Sequence, residues 1–380
     1  MRVIHVVFEC IPGEFRGGPQ RMVYQLAGAQ AVAGADVEIW ALNRNRVPAN
    51  QTPSGLRLRY FPQHSLLGTH WSRRLGEALA LQAGHVDVVH SHNTFELLNI
   101  QVASFGRKTK TKTFFSPHGA LDPKLFEDWS TKSIKKQLYN RLVEVPNLNA
   151  ARGVFALSNF EETQLRAIGV SAPVHVVPNG VEIPPVQVEK AQARKRLRIP
   201  ADATVVLFLG RINEKKNIHL IIRAFELVRA SNPRSLLIIA GARHAAKYVS
   251  QLDVLITQLG LESSVRWLGF VDEMAKPDVF SASDVFVHAS ESEGMAIAIL
   301  ESMSYGIPTF VSRGCYMTRA ATAEAVIEVG SSYFEMGCSL TGWLASPAAL
   351  ESLGQRGRSY VREQHNWESI ARQMLAAYQQ

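Results

Sequence analysis

Cysteine is scarce in this chain. Its 380 residues hold three, Cys10, Cys315 and Cys338, an odd number at wide spacing. That excludes a disulfide framework and a zinc-type cluster, and it fits buried thiols in a reducing, cytoplasmic compartment. No apolar run approaches ~18 residues, so no membrane-spanning helix is expected. The opening MRVIHVVFEC has one arginine followed by a strand-like run, without the small-residue cleavage site of a signal peptide. Gly-x-Gly-x-x-Gly does not occur, which counts against a dinucleotide cofactor. Internal repeats and low-complexity tracts are missing as well.

What is present is ordinary soluble composition, 46% hydrophobic and 19% charged, on a chain long enough for more than one domain. The net charge of +8 is uneven. Residues 1–182 hold 20 Lys/Arg against 14 Asp/Glu, and residues 183–380 hold 21 against 19. Nine basic and three acidic residues lie between Arg107 and Arg141 alone. Such a stretch is a solvated basic face, a contact for an anionic membrane surface, or a site for a phosphorylated substrate. Nucleic acid is not expected, because no aromatic–basic interleaving accompanies the charge.

Short β-branched runs alternate with helix-length amphipathic stretches. Residues 2–8, 36–42, 56–61, 86–92, 112–118, 153–158 and 174–180 read as strands, mostly continuous apolar runs of the kind both-sided burial in a parallel sheet demands. Residues 19–34 and 158–169 read as helices, the second opened by Ser158 and Glu161 in capping-box spacing. After a linker marked by Pro184 and Pro185 the pattern restarts. Strands are expected at 204–210, 235–241, 264–269, 284–290 and 308–312, and helices near 215–230, 245–259, 296–305 and 347–363. The last stretch, NWESIARQMLAAYQQ, is one more amphipathic helix. The expected fold class is therefore α/β, with two Rossmann-like domains: residues 1–183 with 365–380, and residues 184–364.

In open α/β sheets, ligands bind beyond the carboxyl ends of the strands. With two sheets, the cleft between them is the default site. The first such loop, ECIPGEFRGGPQ, places Gly17 and Gly18 before a helix starting at Pro19, where backbone amides can meet an anion. In FLGRINEKKNIHLIIRAF, Arg211 follows the strand and Lys216 falls at the start of the next helix. Cations there oppose the helix macrodipole, so they point to a diphosphate rather than to helix stability. No fold contact for Lys216 is legible. In ESEGMAIAILESMSYGIPTF, Glu293 and Glu301 are eight residues apart, about 80° apart on a helix, so they do not share a face. Glu293 instead belongs to the loop, turned by Gly294 and Met295. Glu301 lies inside a helix running from about Ala296 to Tyr305, among apolar Ile297, Ile299 and Leu300. The free amides of 295–297 face a phosphate, and the carboxylates suit vicinal hydroxyls.

These pieces resemble the retaining glycosyltransferases of the GT4 family. The family's E-x7-E motif corresponds to EGMAIAILE, its G-R-x4-K element to GRINEKK, and its glycine loop to FRGGPQRMVYQLA. VDVVHSHN, PHGALD, VFALSNFEETQL, VVPNGVE and HNWESIARQMLAAY follow in family order, so the likeness spans nearly the whole chain. It implies a GT-B fold, two Rossmann-like domains facing across a cleft, with the C-terminal helix returning to the first domain. It also implies that Arg211 and Lys216 hold the donor diphosphate, Glu293 the sugar hydroxyls and Glu301 the ribose. Gly17 and Gly18 would serve closure on the phosphates. Gly269, Phe270 and Val271 would flank the base, and Gly294, Met295, Ala296 and Ile297 would line the donor. His118 of PHG would face the reacting centre, making His118, Glu293, Arg211 and Lys216 the catalytic set.

Two departures bear on donor identity: Ala296 stands where many members have Gly or Pro, and RGCYMTRAATAEAV lacks the usual glycine-glycine-x-proline-glutamate turn. The family chemistry needs no metal or other cofactor, and the sequence has no Asp-x-Asp. The implied reaction moves a hexosyl group from a UDP- or GDP-sugar to a glycan or lipid-linked acceptor, with retention by front-face attack. A nucleotide-sugar epimerase of the same architecture and a non-catalytic nucleotide-sugar binding protein remain as alternatives. A lipid-linked acceptor would bring the enzyme to the inner face of the cytoplasmic membrane. A helix over 129–145 has Ile134, Leu138, Leu142 and Val145 on one face and Lys132, Lys135, Lys136 and Arg141 elsewhere. It either docks on anionic lipid or packs its apolar face on the first sheet.

Overall fold

The computed structural model describes residues 1–12, 18–43, 56–66, 68–92, 94–123, 131–184, 188–243 and 245–380. Within these the chain divides into two compact units, Met1–Gly180 with Trp367–Gln380, and Val181–Asn366.

The first unit is built on β1 (Arg2–Val7), α1 (Gly18–Val32), β2 (Asp36–Asn43), β3 (Arg57–Pro62) and a small antiparallel hairpin, β4 (His64–Leu66) with β5 (Thr69–Trp71). There follow α2 (Arg73–Ala80), β6 (Val88–Ser91), α3 (Leu97–Thr109), β7 (Lys112–Phe115), α4 (Thr131–Tyr139), α5 (Val145–Asn149), β8 (Gly153–Ala156), α6 (Asn159–Ala167) and β9 (Val174–Val176). Seven strands form one sheet in the order β3-β2-β1-β6-β7-β8-β9, parallel throughout. The alternation of side chains along β1 explains its two-sided burial. Val3 and Val7 pack with Met22, Val23 and Leu26 of α1 and with Ile370 and Met374 near the C-terminus. Ile4 and Val6 pack with Leu75 of α2 and with Leu98 and Val102 of α3. The strand order reverses between β1 and β6, where a ligand crevice opens in this topology.

The second unit contains α7 (Lys190–Arg196), β10 (Thr204–Leu209), α8 (Ile218–Ser231), β11 (Ser235–Ala240), α9 (Ala246–Gln258), β12 (Val265–Gly269), α10 (Lys276–Ser281) and β13 (Val285–His288). It continues with α11 (Ile297–Ser304), β14 (Thr309–Ser312), α12 (Thr318–Thr322), β15 (Ile327–Val329), α13 (Tyr333–Leu344) and α14 (Pro347–Gln364). Its sheet is again parallel, in the order β12-β11-β10-β13-β14-β15. Val206 and Phe208 of β10 face α8, α9 and α13, while Val205 and Leu207 face Ala193, Ile299, Leu300 and Met303. Truncating buried Phe208 to Ala would cost about 3–5 kcal/mol. The final helix, α15 (Trp367–Gln379), belongs to the first unit and packs on α1.

Three local expectations are corrected. Lys216 does not open a helix: Glu214–Lys216 is a single 3-10 turn, Asn217 is left-handed (φ 49°), and α8 starts after it. Ser158 does cap α6, accepting from Glu161 N at 3.2 Å, but the reciprocal half of the capping box is missing. The Glu161 carboxylate is buried and instead accepts from Leu157 N (2.7 Å) and Gly119 N (2.6 Å), tying α6 to the turn after β7. The third concerns α4 and the π-helical turn Asn140–Glu144 that follows it. Ile134, Leu138 and Leu142 are 49%, 57% and 64% exposed and do not pack on the sheet, whereas Val145, the fourth residue of that face, is half-buried against the first unit's core. The inward side is polar: Ser133, Asn140, Glu144 and Asn147 are buried there, and Glu144 accepts from Phe95 N (2.6 Å) and Asn99 Nδ2 (3.0 Å). Four strands, β4, β5, β9 and β15, are three residues each; β4, β5 and β15 were not expected, since so short a run shows no period. Pro185 lies outside the described residues.

Candidate active site

The second unit's switch point lies between β10 and β13, and Arg211, Lys216, Glu293 and the start of α11 follow these two strands, whereas Gly269, Phe270 and Val271 follow β12. Arg211 follows β10, is exposed, and makes no ion pair among the described residues. Lys216 reaches the loop after β13, where its ammonium pairs with Glu293 Oε1, 77 residues away in sequence. The same oxygen accepts from the Ser290 hydroxyl at 2.5 Å and from His288 Nε2 at 3.3 Å. Burial alone would raise the Glu293 pKa. The hydrogen bond from His288 and the charge of Lys216 outweigh it and hold the carboxyl well below the usual range. His288 is itself buried, which lowers its pKa, and its Nδ1 is buried without a hydrogen bond among the described residues. It is thus the neutral Nε2–H tautomer, packed between Phe208 and Phe286.

Helix α11 begins at Ile297, with Ala296 as N-cap and no side-chain cap, so among the described residues no side chain caps the amides of its first turn. Gly294 and Met295 make the turn into it and are half-buried, as is Ile297. Glu301, one turn in, is buried and ion-paired with Lys276 of α10 at 2.8 Å. The expectation of a carboxylate kept from solvent among apolar neighbours fits this position, and the cation that makes the burial tolerable was not visible in sequence. Gly269 ends β12 with φ +72°; Phe270 beside it is 68% exposed and Val271 is half-buried.

The atypical tract after β14 braces the Glu293 loop. Arg313–Cys315 forms a 3-10 turn, the Gly314 carbonyl accepts from Glu293 N at 2.9 Å, and the Ser312 hydroxyl donates to Ser290 O at 2.6 Å. A Cβ on Gly314 would stand 2.2 Å from Glu291 O, so only glycine fits. His288, Ser290, Lys276 and Gly314 were missed by sequence reasoning. A polar HAS ending the apolar strand DVFVHAS is the signal that could have pointed to the first two.

In the first unit, Gly18 opens α1 and is exposed, whereas Gly17 lies outside the described residues. His118 follows β7 with φ 53°, and its loop is held by the Gly119 N to Glu161 contact. Its Nε2 lies 3.2 Å from His92 Nδ1, with the rings stacked. His5 and His90, partners in the β1–β6 register, sit behind His92. Ring nitrogens of His5, His90 and His92 lie within 4.8 Å of one another, a spacing a metal ion can bridge. All six of those nitrogens, however, already have hydrogen-bond partners in the protein. Burial pushes His5 and His118 down to about 4, and His90 and His92 well below the ordinary value. All four are therefore neutral at pH 7.

Residues 189–360 match the family described as "Glycosyl transferases group 1", and residues 17–180 match "Glycosyl transferase 4-like domain". The chain is 23% identical over 401 residues to D-inositol 3-phosphate glycosyltransferase of Xylanimonas cellulosilytica, covering 96% of this chain and 92% of that one. It is 25% identical over 214 residues to mannosylfructose-phosphate synthase of Agrobacterium fabrum, covering 53% and 47%. Among solved structures, Anabaena HepE in complex with UDP-glucose superimposes with a TM-score of 0.81 at 19% identity, over 100% of this chain and 99% of that one. With the two family matches side by side along nearly its whole length, the chain belongs to the group 1 glycosyltransferases of GT4 type, transferases of GT-B fold.

Proposed function

We propose that the protein is a retaining, metal-independent transferase that moves a hexosyl group from a UDP- or GDP-sugar to a glycan or lipid-linked acceptor in surface-polysaccharide synthesis. The observation that carries this reading is the Lys216–Glu293 pair beside the uncapped start of α11. A diphosphate takes Arg211, Lys216 and the first-turn amides, cationic and dipolar groups aimed at the charge that develops on the leaving nucleotide. When Lys216 turns to phosphate, Glu293 stays held by His288 and Ser290 and presents its other oxygen to sugar hydroxyls. Glu301, anchored by Lys276, serves the ribose. His118 meets the reacting sugar or the acceptor. The HepE structure solved with UDP-glucose and the glycosyltransferase relatives support a nucleotide-sugar donor.

The test is a thermal-shift panel of UDP-, GDP- and ADP-sugars, followed by transfer assays. A donor at 100 times its dissociation constant should add about 2.7 kcal/mol. Acceptor-dependent release of nucleoside diphosphate, with the anomeric configuration kept in the product, supports the reading. Turnover of donor without acceptor favours the epimerase, and binding without turnover favours a binding protein.

The exposed stripe Ile134, Leu138 and Leu142 favours a peripheral role at lipid. Lys135, Lys136 and Arg141 are exposed beside it, giving an apolar strip with basic flanks. No helix among the described residues is long and apolar enough to cross a membrane. We infer reversible docking of this face on an anionic leaflet, where a lipid-linked acceptor resides.

A further inference from the structure

The buried histidines of the first unit form a hydrogen-bonded line with a defined end. Gln30 of α1 places Oε1 2.7 Å from His5 Nε2. His5 Nδ1 lies 2.8 Å from His92 Nε2, and His92 Nδ1 lies 3.2 Å from His118 Nε2. A side branch runs from Gln30 Nε2 to the Tyr378 hydroxyl (3.5 Å), from there to His90 Nδ1 (2.6 Å), and from His90 Nε2 to the Ser116 hydroxyl (2.8 Å).

A neutral imidazole has one donor and one acceptor nitrogen, so the proton position on one ring dictates the next. With the Gln30 oxygen toward His5, His5 donates from Nε2 and accepts at Nδ1. His92 must then donate from Nε2 to His5 and accept at Nδ1, and His118 must donate from Nε2. The branch agrees: the Gln30 amide donates to Tyr378, the Tyr378 hydroxyl donates to His90 Nδ1, and His90 donates from Nε2 to Ser116. Every nitrogen of the three buried rings is satisfied in one sense. His118 Nδ1 is left as a lone pair, and no hydrogen bond to it occurs among the described residues. A reversed Gln30 amide would invert the line and put the proton of His118 on Nδ1.

We propose that Gln30, His5 and His92 are positioning residues that hold His118 as its Nε2–H tautomer, so that His118 offers an acceptor nitrogen to a hydroxyl of the bound sugar or acceptor. The tautomer assignment stands on the first unit alone; its part in catalysis rests on the transferase reading above. The strand register makes the line possible, because His5 and His90 are direct partners across β1 and β6, and Ser116 and His118 follow the neighbouring strand.

The experiment is long-range proton–nitrogen correlation on full-length protein labelled with 15N-histidine, at neutral pH and without substrate. His5, His90, His92 and His118 should all show the Nε2–H pattern. An Nδ1–H pattern or tautomer averaging at His118 overturns the proposal. Gln30→Leu removes the anchor and should give averaged tautomers at His92 and His118. It should also lower kcat by about tenfold or more, by analogy with the loss of a partner that orients a metal-bound histidine, with the dissociation constant of free nucleoside diphosphate unchanged. An unaltered His118 pattern and kcat in Gln30→Leu refutes the relay. If that variant does not fold, the wild-type spectrum decides together with His5→Asn, whose amide oxygen replaces the Nδ1 acceptor and should keep both the His118 pattern and most of kcat. Absence of sugar transfer, with the Nε2–H pattern present, defeats the transferase reading and leaves the tautomer assignment intact. Transfer with His118 protonated on Nδ1 defeats the relay alone.

Discussion

Lys216 and Glu293 are joined in a largely buried ion pair that links the turn after β10 to the loop after β13. The lysine is thus part of the fold as well as a candidate phosphate ligand, against the expectation that it carries no structural contact. Lys216→Ala should lower stability by about 1–3 kcal/mol, because a mostly buried carboxylate loses its cation but keeps two other donors. It should also weaken nucleoside diphosphate binding by more than ~1 kcal/mol. Urea unfolding and calorimetry read the two effects separately. A double-mutant cycle with Glu293→Gln should show coupling of at least ~0.5 kcal/mol, and additive losses would contradict the pair.

The two glutamates should separate by ligand. Glu293→Ala is expected to lower transfer strongly while free nucleoside diphosphate still binds. Glu301→Ala is expected to weaken both, since ribose is common to both ligands, and Lys276→Met should follow it because that cation anchors Glu301. Calorimetry with diphosphate, alongside initial rates, checks the split. Loss of diphosphate binding in Glu293→Ala with none in Glu301→Ala would exchange the roles.

Glu144 gives stability a particular pH dependence. Burial pushes its carboxyl up to about 7, against the opposing hydrogen bonds from Phe95 N and Asn99. The folded state therefore binds this proton more tightly than the unfolded chain does. The resulting stabilisation is complete below the unfolded value of about 4.5 and fades as pH rises to about 7. Relative to Glu144→Gln, the wild type should lose on the order of 2–3 kcal/mol between pH 4.5 and pH 8. A difference that stays flat across that range would show that Glu144 titrates normally.

Transfer should survive EDTA. In the proposed reaction, Arg211, Lys216 and the start of α11 would supply the charge stabilisation that a divalent ion would otherwise bring. Activity lost on chelation and restored by magnesium or manganese would contradict these electrostatics.

Docking of the α4 face should appear as co-sedimentation with anionic vesicles at low ionic strength and weaken at high salt. Ile134→Asp with Leu138→Asp should abolish it while the fold persists, because both positions are already exposed. Equal, negligible binding to anionic and neutral vesicles would leave a soluble acceptor.

Local chemistry alone determined much of this protein. Five strands of the second sheet and all seven of the first are legible, most of them because strands buried on both faces must be continuous apolar runs, and β3 by its alternation of exposed and buried residues. The positions of Glu293 in a loop and Glu301 in a helix follow from a glycine turn and an eight-residue spacing. Tertiary structure decided what those residues touch. Lys276 and Glu301 are 25 residues apart, His5 and His92 are 87 apart, and Gln30 and Tyr378 are 348 apart. No periodicity encodes such meetings; parallel register and the return of α15 create them. The α4 face shows the same limit from the other side. Its 3.6-residue apolar period is real, but period alone says only that a helix has two unlike faces. Here Glu144, bonded to Phe95 and Asn99, turns the polar face inward, and Ile134, Leu138 and Leu142 are left to water or lipid while Val145 meets the core.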